Sequence, residues 1–312
     1  MDPLGARSQF VDIQTLPTWQ QQLGEDGEEP QDQSDSRLSQ QAFPSPFPCR
    51  PDINRKIILF TGDIALLNCT AIVNTSNESL NDKNPVSDSI HHLAGPELRD
   101  ELFKVKGCRT GEAKLTKGFN LAARFIIHTV GPKFKSKYRT AAESSLYSCY
   151  RNIMQLAAEQ SMASVGICVV STTKRGYPLE DATHISFRTV RRFMENFGNR
   201  IDAVVFAVSD TEEPVFRKLL PLYYPRSEKE EMACLPLIPA DIGNSEGEPV
   251  VPERQIRIAE KPGNLEGTKL QHKSFHLQPS RANRPLYVGL FRRITQKLEL
   301  ISTNLVEEWD MV

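Results

Sequence analysis

The stretch GEAKLTKGFNLAARFIIHTVGP, Gly111 to Pro132, holds two strand-length runs, EAKLTKG (112–118) and RFIIHTVG (124–131), joined by a short turn. Neighbouring parallel strands need a crossover of about a dozen residues or more, usually a helix. This pair has no room for one, so the sheet that contains it is expected to be mixed. Outward from the pair, apolar runs of strand length alternate with segments of helical period. KIILFTGD (56–63) and TAIVNTS (70–76) come before it, with the helical stretch SDSIHHLAGPELRDELFKV (87–105) between. After it come the helix AESSLYSCYRNIMQLAAEQ (142–160), the strand SVGICVVS (164–171) and the helix LEDATHISFRTVRRFMENF (179–197). The strand DAVVFAVSD (202–210) and the helix EPVFRKLLPLYY (213–224) close the series. Short, nearly all-apolar strands separated by amphipathic helices predict a central sheet covered on both faces. The expectation is a three-layer α/β/α domain with a central mixed sheet, spanning residues 43–226.

The chain has 312 residues, 39% hydrophobic and 25% charged, with a formal net charge of -1. A balance so near zero makes no whole-protein case for nucleic acid or an anionic membrane, so any electrostatic argument has to be local. Residues 1–42, with GEDGEEPQDQSDSRLSQQ (24–41), hold too little apolar surface to offset ordering entropy. They are expected to form an acidic disordered tail, whose functional reading is a partner-binding arm. Residues 227–284, including LPLIPADIGNSEGEPVVPERQ (235–255), read as a flexible linker. Residues 285–312 regain helical apolar spacing through Leu290, Ile294, Leu298 and Leu305. That segment is expected to start a module the chain does not contain, or to be a surface helix for a partner or a membrane.

The six cysteines are scattered, without a CxxC pair or zinc-like histidine spacing, and read as reduced thiols. The first residues lack the pattern of a secretory signal, and no window approaches the ~20 apolar residues of a membrane span. An intracellular, cytoplasmic protein without metal or cofactor is expected. The glycosylation-type matches at Asn68, Asn74 and Asn77 then read as coincidence.

Three stretches fall at the carboxyl ends of strands, where α/β sheets bind ligands. In TGDIALLN (61–68), Asp63 follows a strand end and can accept hydrogen bonds from an exocyclic amine such as that of adenine, although Gly-Asp is also an ordinary turn. In NTSNESLNDKNPVSDSIHHLAG (74–95), Asn74, Asn77, Ser87 and His91 stand between a strand and a helix. His91 and His92 read as helix residues, one inward and one exposed. In VVSTTKRGYP (169–178), Ser171, Thr172, Gly176 and Tyr177 occupy a strand-to-helix turn, where backbone N–H groups can hold phosphate.

These stretches, in this order and with GEAKLTKGFNLAARFIIHTVGP between them, resemble the macro domain, a module known for binding ADP-ribose. The resemblance covers about residues 43–226. It implies that Asp63 contacts the adenine amine with Ile64 beside the ring. Asn74 and Asn77 match the asparagines of the family's Asn-Ala-Ala-Asn motif, with Thr75 and Ser76 in place of the alanines. MacroD-type hydrolases follow that motif with a glycine run, an Asp that orients the attacking water and a His one helical turn later. Counted without gaps, the Asp and His positions are Ser87 and His91. The glycine run has become Asp82-Lys83-Asn84-Pro85. Proline has no N–H to offer phosphate, Asp82 repels it, and the Ser87 hydroxyl is no general base near neutral pH. Asp88, next along, points about 100° further round a helix and regains the role only if the loop shifts register. In the phosphate loop, Thr173 replaces a glycine, while Lys174 and Arg175 add two cations.

The resemblance therefore implies a degenerate macro domain that is not an enzyme and has no catalytic residue. Its expected ligand contacts are Asp63, Ile64, Asn74, Asn77, Ser171, Thr172, Thr173, Lys174, Arg175, Gly176 and Tyr177. The expected ligand is ADP-ribose-like, poly(ADP-ribose) or another polyanion; an interaction scaffold, with protein partners reached through the tails, is the companion reading. A residual MacroD-like hydrolase is one alternative. A binder of single-stranded, A-rich RNA is another, for which GPKFKSKYR (131–139) would add Lys133, Lys135, Lys137 and Arg139 with Phe134 and Tyr138. Arg188, Arg191 and Arg192 read as a solvated helix face. Tail, domain, linker and final run together resemble a macro-domain protein that continues into a CRAL-TRIO-like lipid-binding domain, which implies a shorter form or a fragment.

Overall fold

Each apolar run of the sequence becomes one strand: β1 (Ile57–Thr61), β2 (Ala71–Thr75), β3 (Ala113–Lys117), β4 (Phe125–Thr129), β5 (Ser164–Ile167) and β6 (Ala203–Val208). The coordinates are a computed structural model that describes residues 10–24, 44–170 and 173–250. All of these fall in one compact unit, Met1–Arg254. The sheet order is β1-β6-β5-β2-β4-β3. Only β3 runs against its neighbour, β4, and the other four pairings are parallel. The mixed sheet follows from the tight β3–β4 turn. There a Cβ on Gly118 would lie 1.8 Å from the Ala123 carbonyl oxygen, so only glycine fits the approach.

The helices are α1 (Pro51–Asn54, a single turn), α2 (Pro85–Ala94), α3 (Pro96–Val105), α4 (Arg139–Glu159), α5 (Leu179–Phe197), α6 (Glu213–Tyr223) and α7 (Glu228–Cys234). The helical stretch 87–105 divides in two. Gly95, at φ 91°, ends α2 and enters α3, and Pro96 takes the first position of α3, where its missing N–H costs nothing. Helices α2 and α3 pack on each other and reach β2 and β3, whereas α4, α5 and α6 pack in succession, α4 against β3 and β4, and Phe187 of α5 and Phe216 of α6 against Phe206 of β6. With Ile72, Val73, Ile126, Ile127, Val165 and Val204 buried in the strands, the result is the expected α/β/α core. All six cysteines are unpaired. Among the described residues, no helix is long and apolar enough to cross a membrane.

Three expectations require correction. Residues 10–24, placed in a disordered tail, are packed on the domain. Val11 pairs with Leu67, and Trp19 is buried, its indole Nε1 donating to the Tyr224 carbonyl at 2.8 Å. The Arg226 guanidinium lies 4.1 Å from the centre of the Trp19 ring. Acidic residues further along diluted this short apolar segment when composition was read over the whole tail. Residues 227–250, placed in a linker, also fold onto the domain. Helix α7 is capped by Ser227, and Glu231 accepts from the Cys49 backbone N–H at 2.7 Å. The rest of residues 1–42 and 227–284, and the whole of 285–312, lie outside the described residues.

The third correction concerns the arginines of α5. Arg188 and Arg191 are buried rather than solvated. Arg191 donates to the carbonyls of Tyr223 (2.8 Å) and Pro48 (2.7 Å), and Arg188 to those of Asp241 (2.7 Å) and Gly247 (3.1 Å). Arg192 lies over the Phe47 ring at 4.5 Å. The carbonyl acceptors of Pro48, Asp241 and Gly247 come from segments with no sequence periodicity, so the partners were invisible along the helix.

Trp19→Ala should lower the unfolding free energy by about 3–5 kcal/mol, the usual cost of truncating a buried aromatic. Chemical denaturation measures this; an unchanged midpoint would mean that residues 10–24 are no part of the cooperative unit.

Candidate ligand-binding cleft

The strand order sets the carboxyl ends of β1, β6 and β5 side by side, and a cleft of about 790 Å³ opens over them. That volume suits a small-molecule ligand. Gly62, Asp63 and Ile64 form the wall that follows β1, and Ser209–Glu212 the wall that follows β6. Cys168 and Val169 contribute from the end of β5, and Asn84–Val86, Tyr177 and Leu179 close the remaining side. Asp63 caps the single turn Ile64–Leu66, accepting from the Ala65 N–H at 2.9 Å, while its other oxygen accepts from the Ser89 hydroxyl. Each carboxylate oxygen keeps a further lone pair for a donor in the cleft. Ile64 is buried. The Tyr177 ring packs on Phe134 at 4.7 Å, and burial pushes its phenol above the ordinary range.

Asn84 and Pro85 have a local purpose. Asn84 caps α2, its Oδ1 accepting from the Ser87 N–H at 3.0 Å, and Pro85 takes the first helical position. The Asn84 amide donates to the Thr75 carbonyl (3.0 Å) and to Asp82 (3.2 Å). The stretch is a helix start, and its Ser87 N–H is consumed within the protein. Ser87 is fully buried, and Asp88 is exposed on a helix already under way from Pro85. His91 is half-buried with Nδ1 3.2 Å from the Ser87 carbonyl; burial, reinforced by Arg99, depresses its pKa. His92 is exposed.

The structure redistributes the other expected ligand contacts. Asn74 is fully buried and faces His128, its in-register partner on β4, so it is no cleft residue. Asn77 shapes its own loop, its Oδ1 accepting from the Ser79 and Asn81 N–H groups at 3.1 Å each and its amide donating to Asn81 at 2.8 Å. Lys174 reaches across to the other loop, donating to Asp82 at 3.0 Å and to the Lys83 carbonyl at 3.2 Å. For Asp82, burial works against ionisation, but the hydrogen bonds from Lys174 and Asn84 outweigh it and hold the carboxyl below its usual range. Arg175, expected as a ligand contact, is buried and donates to the carbonyls of Gly131 (2.7 Å) and Ser76 (3.0 Å). Both cations find acceptors on loops distant in sequence, which is why they read as free.

Thr173 opens a short turn, Thr173–Arg175, and Gly176 follows at φ 67° with open space around it, so there the backbone rather than crowding calls for glycine. Ser171 and Thr172 lie outside the described residues. Lys133, Lys135 and Lys137 are exposed, and Arg139 pairs with Glu143 at 2.7 Å. The wall after β6 went unrecognised in the sequence, although VSD (208–210) ends its strand much as TGD (61–63) ends β1.

Residues 73–186 match the Macro domain family. Over 276 residues the chain is 71% identical to ganglioside-induced differentiation-associated protein 2 of Danio rerio, a match covering 85% of this chain and 55% of that protein. The crystal structure of the ganglioside induced differentiation associated protein 2 macro domain is 67% identical, with a TM-score of 0.63 over 71% of this chain and 100% of that one. The chain belongs to the macro domain family. A second macro domain, from Trypanosoma brucei and crystallised in complex with ADP-ribose, is 33% identical with a TM-score of 0.54, over 68% of this chain and 77% of that one. This chain spans about half the length of the curated relatives it matches.

Behind the altered loop of this macro domain lies a neutral histidine. His128 Nδ1 is 3.1 Å from the Asn74 amide nitrogen and Nε2 is 2.8 Å from the Thr116 hydroxyl. The amide donates to Nδ1, Nε2–H donates to the Thr116 oxygen, and the Thr116 hydroxyl donates to the Lys117 carbonyl at 3.3 Å. Burial pushes the imidazole pKa down to about 3. The unfolded chain then takes up this proton below about pH 6.5 while the folded one does not, so the stability is fully present above that value and is lost as pH falls from it towards 3. Urea denaturation between pH 7 and 5 should show a loss approaching ~1.4 kcal/mol per unit below about pH 6.5. In His128→Gln that part of the slope should vanish; an equal slope in the variant would assign the acid sensitivity elsewhere.

Proposed function

We propose that this chain is a non-catalytic macro domain that holds the adenosine part of an ADP-ribose-like ligand in the cleft over β1, β6 and β5. The observation that carries the reading is a contrast within one site. Asp63 and Ile64 stand on the cleft wall, where an adenine amine and ring would be received, while the position of the water-orienting acid holds a buried, neutral Ser87. A serine hydroxyl cannot take a proton from water near neutral pH, and exposed Asp88 does not replace it. The Trypanosoma brucei macro domain in complex with ADP-ribose supports this ligand class.

The polyanion and RNA readings draw less support, because Lys174 and Arg175 are engaged by protein acceptors. What remains for them is the exposed group Lys133, Lys135 and Lys137.

ADP-ribose should bind the wild-type chain in a calorimetric titration, and Asp63→Ala should weaken it by about 10–100-fold, the loss of one hydrogen bond to a charged group. The melting temperature of the variant separates that loss from the smaller cost of removing the cap. An ADP-ribosylated protein should lose its modification no faster with this protein than in buffer. Faster release that disappears in His91→Ala would overturn the non-catalytic assignment.

A further inference from the structure

We infer that residues 11–19 are a positioning segment for the cleft: they hold the turn that carries Asp63 and Ile64, and ligand affinity depends on them. This rests on the ligand reading proposed above for the same wall.

The wall follows β1, the outermost strand of the sheet, which pairs with β6. Inside the turn, the Leu66 N–H donates to the Asp63 carbonyl and the Leu67 N–H to the Ile64 carbonyl, at 3.1 Å each. The Leu66 carbonyl and the Asn68 N–H, where the chain leaves the turn, are bonded instead by Val11. Its N–H donates to the Leu66 carbonyl at 2.8 Å, and its carbonyl accepts from the Asn68 N–H at 2.9 Å. Two backbone bonds to one residue fix both the place and the direction of the exit from the turn.

Val11 is itself held by the residues that follow it. Asp12 caps the turn Ile13–Thr15, accepting from the Gln14 N–H at 3.0 Å, and Ile13 and Leu16 pack on the core. The Trp19 N–H then donates to the carbonyl of Ile57, the first residue of β1, at 2.7 Å. The segment therefore spans β1 from end to end, anchored where the strand starts and bonded to the turn where it finishes. On the other side, α2 grips Asp63 through the Ser89 hydroxyl. The wall stands between these two holds. None of residues 11–19 lines the cleft, so their effect on a ligand passes through Asp63 and Ile64. A wall that leaves its bound position is competent for only part of the time, and affinity falls with that fraction.

The test compares ADP-ribose binding by calorimetry on the full chain in the wild type, Val11→Pro, Val11→Thr and Ile153→Val, with melting temperatures alongside. Val11→Pro removes the N–H that reaches Leu66, and affinity should fall about tenfold. Val11→Thr keeps that N–H and the branched shape, and should restore affinity to within about twofold of the wild type. Ile153→Val trims a fully buried side chain of α4 that does not line the cleft, and should lower the melting temperature without moving affinity. Undiminished affinity in a folded Val11→Pro protein would overturn the inference and leave the ligand reading standing, as would an equal loss in Ile153→Val. Should Val11→Pro fail to fold, hydrogen exchange on the wild type decides. Coupling is reciprocal, so saturating ADP-ribose should slow exchange at residues 11–19 as well as at 64–68. Slowing at 64–68 alone overturns the inference. If the folded wild type binds no ADP-ribose, the ligand reading falls, and the inference with it.

Discussion

The parallel pairing of β2 with both of its neighbours is the constraint on which the site depends. All five residues of this strand are buried; β4 pairs with it as far as Thr75, and β5 pairs with its first two residues, Ala71 and Ile72. From there the contacts fan outward. The Thr75 hydroxyl donates to the Val170 carbonyl at 2.5 Å, the Cys168 thiol to the Val73 carbonyl at 3.3 Å, and the Asn84 amide and Arg175 guanidinium to the carbonyls of Thr75 and Ser76. Backbone carbonyls leaving a parallel sheet have no strand partner, and buried ones must find a donor. Here side chains of the two ligand loops supply it.

This arrangement explains how Asp82, Asn84 and Pro85 are used. A glycine-rich loop leaves its backbone N–H groups free for an anion, whereas this loop spends side chains on capping α2 and on closing itself. The connections differ in strength. The Lys174–Asp82 pair joins an exposed lysine to a mostly covered carboxylate, with side-chain exposures of 62% and 12%, so solvent screens it and it is worth about 1 kcal/mol at most. Arg175 is the firmer tie, since a guanidinium bonded to two buried carbonyls, with the Glu78 carboxylate 3.8 Å away, cannot leave without stranding those acceptors. The loop after β5 is therefore pinned by Arg175 and only latched by Lys174.

The order of strands and helices was legible because apolar period and turn chemistry are local properties of the chain. The β3–β4 spacing alone made the sheet mixed, and LEDATHISFRTVRRFMENF is a helix over its full length. Asp63 and Ile64 were legible in the cleft for a related reason, as residues that leave a strand at its carboxyl end. Where reading along the chain failed, the missing partner was distant in sequence. Arg188 and Arg191 looked solvated because the carbonyls that receive them belong to residues 48, 223, 241 and 247. Trp19 looked like tail because its acceptor is the Tyr224 carbonyl, more than two hundred residues on.

By itself, then, the sequence determined the family and the layers of the fold, since each is carried by residue type at a fixed spacing. Tertiary structure decided how the altered residues are used. Only packing could show that Asn74 faces His128 inside the sheet, that Lys174 and Arg175 hold loops rather than face the cleft, and that the open volume is walled by β6 as much as by β1. The physical reason is that a charge or an amide is defined chemically by its residue but functionally by its partner, and partners are chosen in three dimensions.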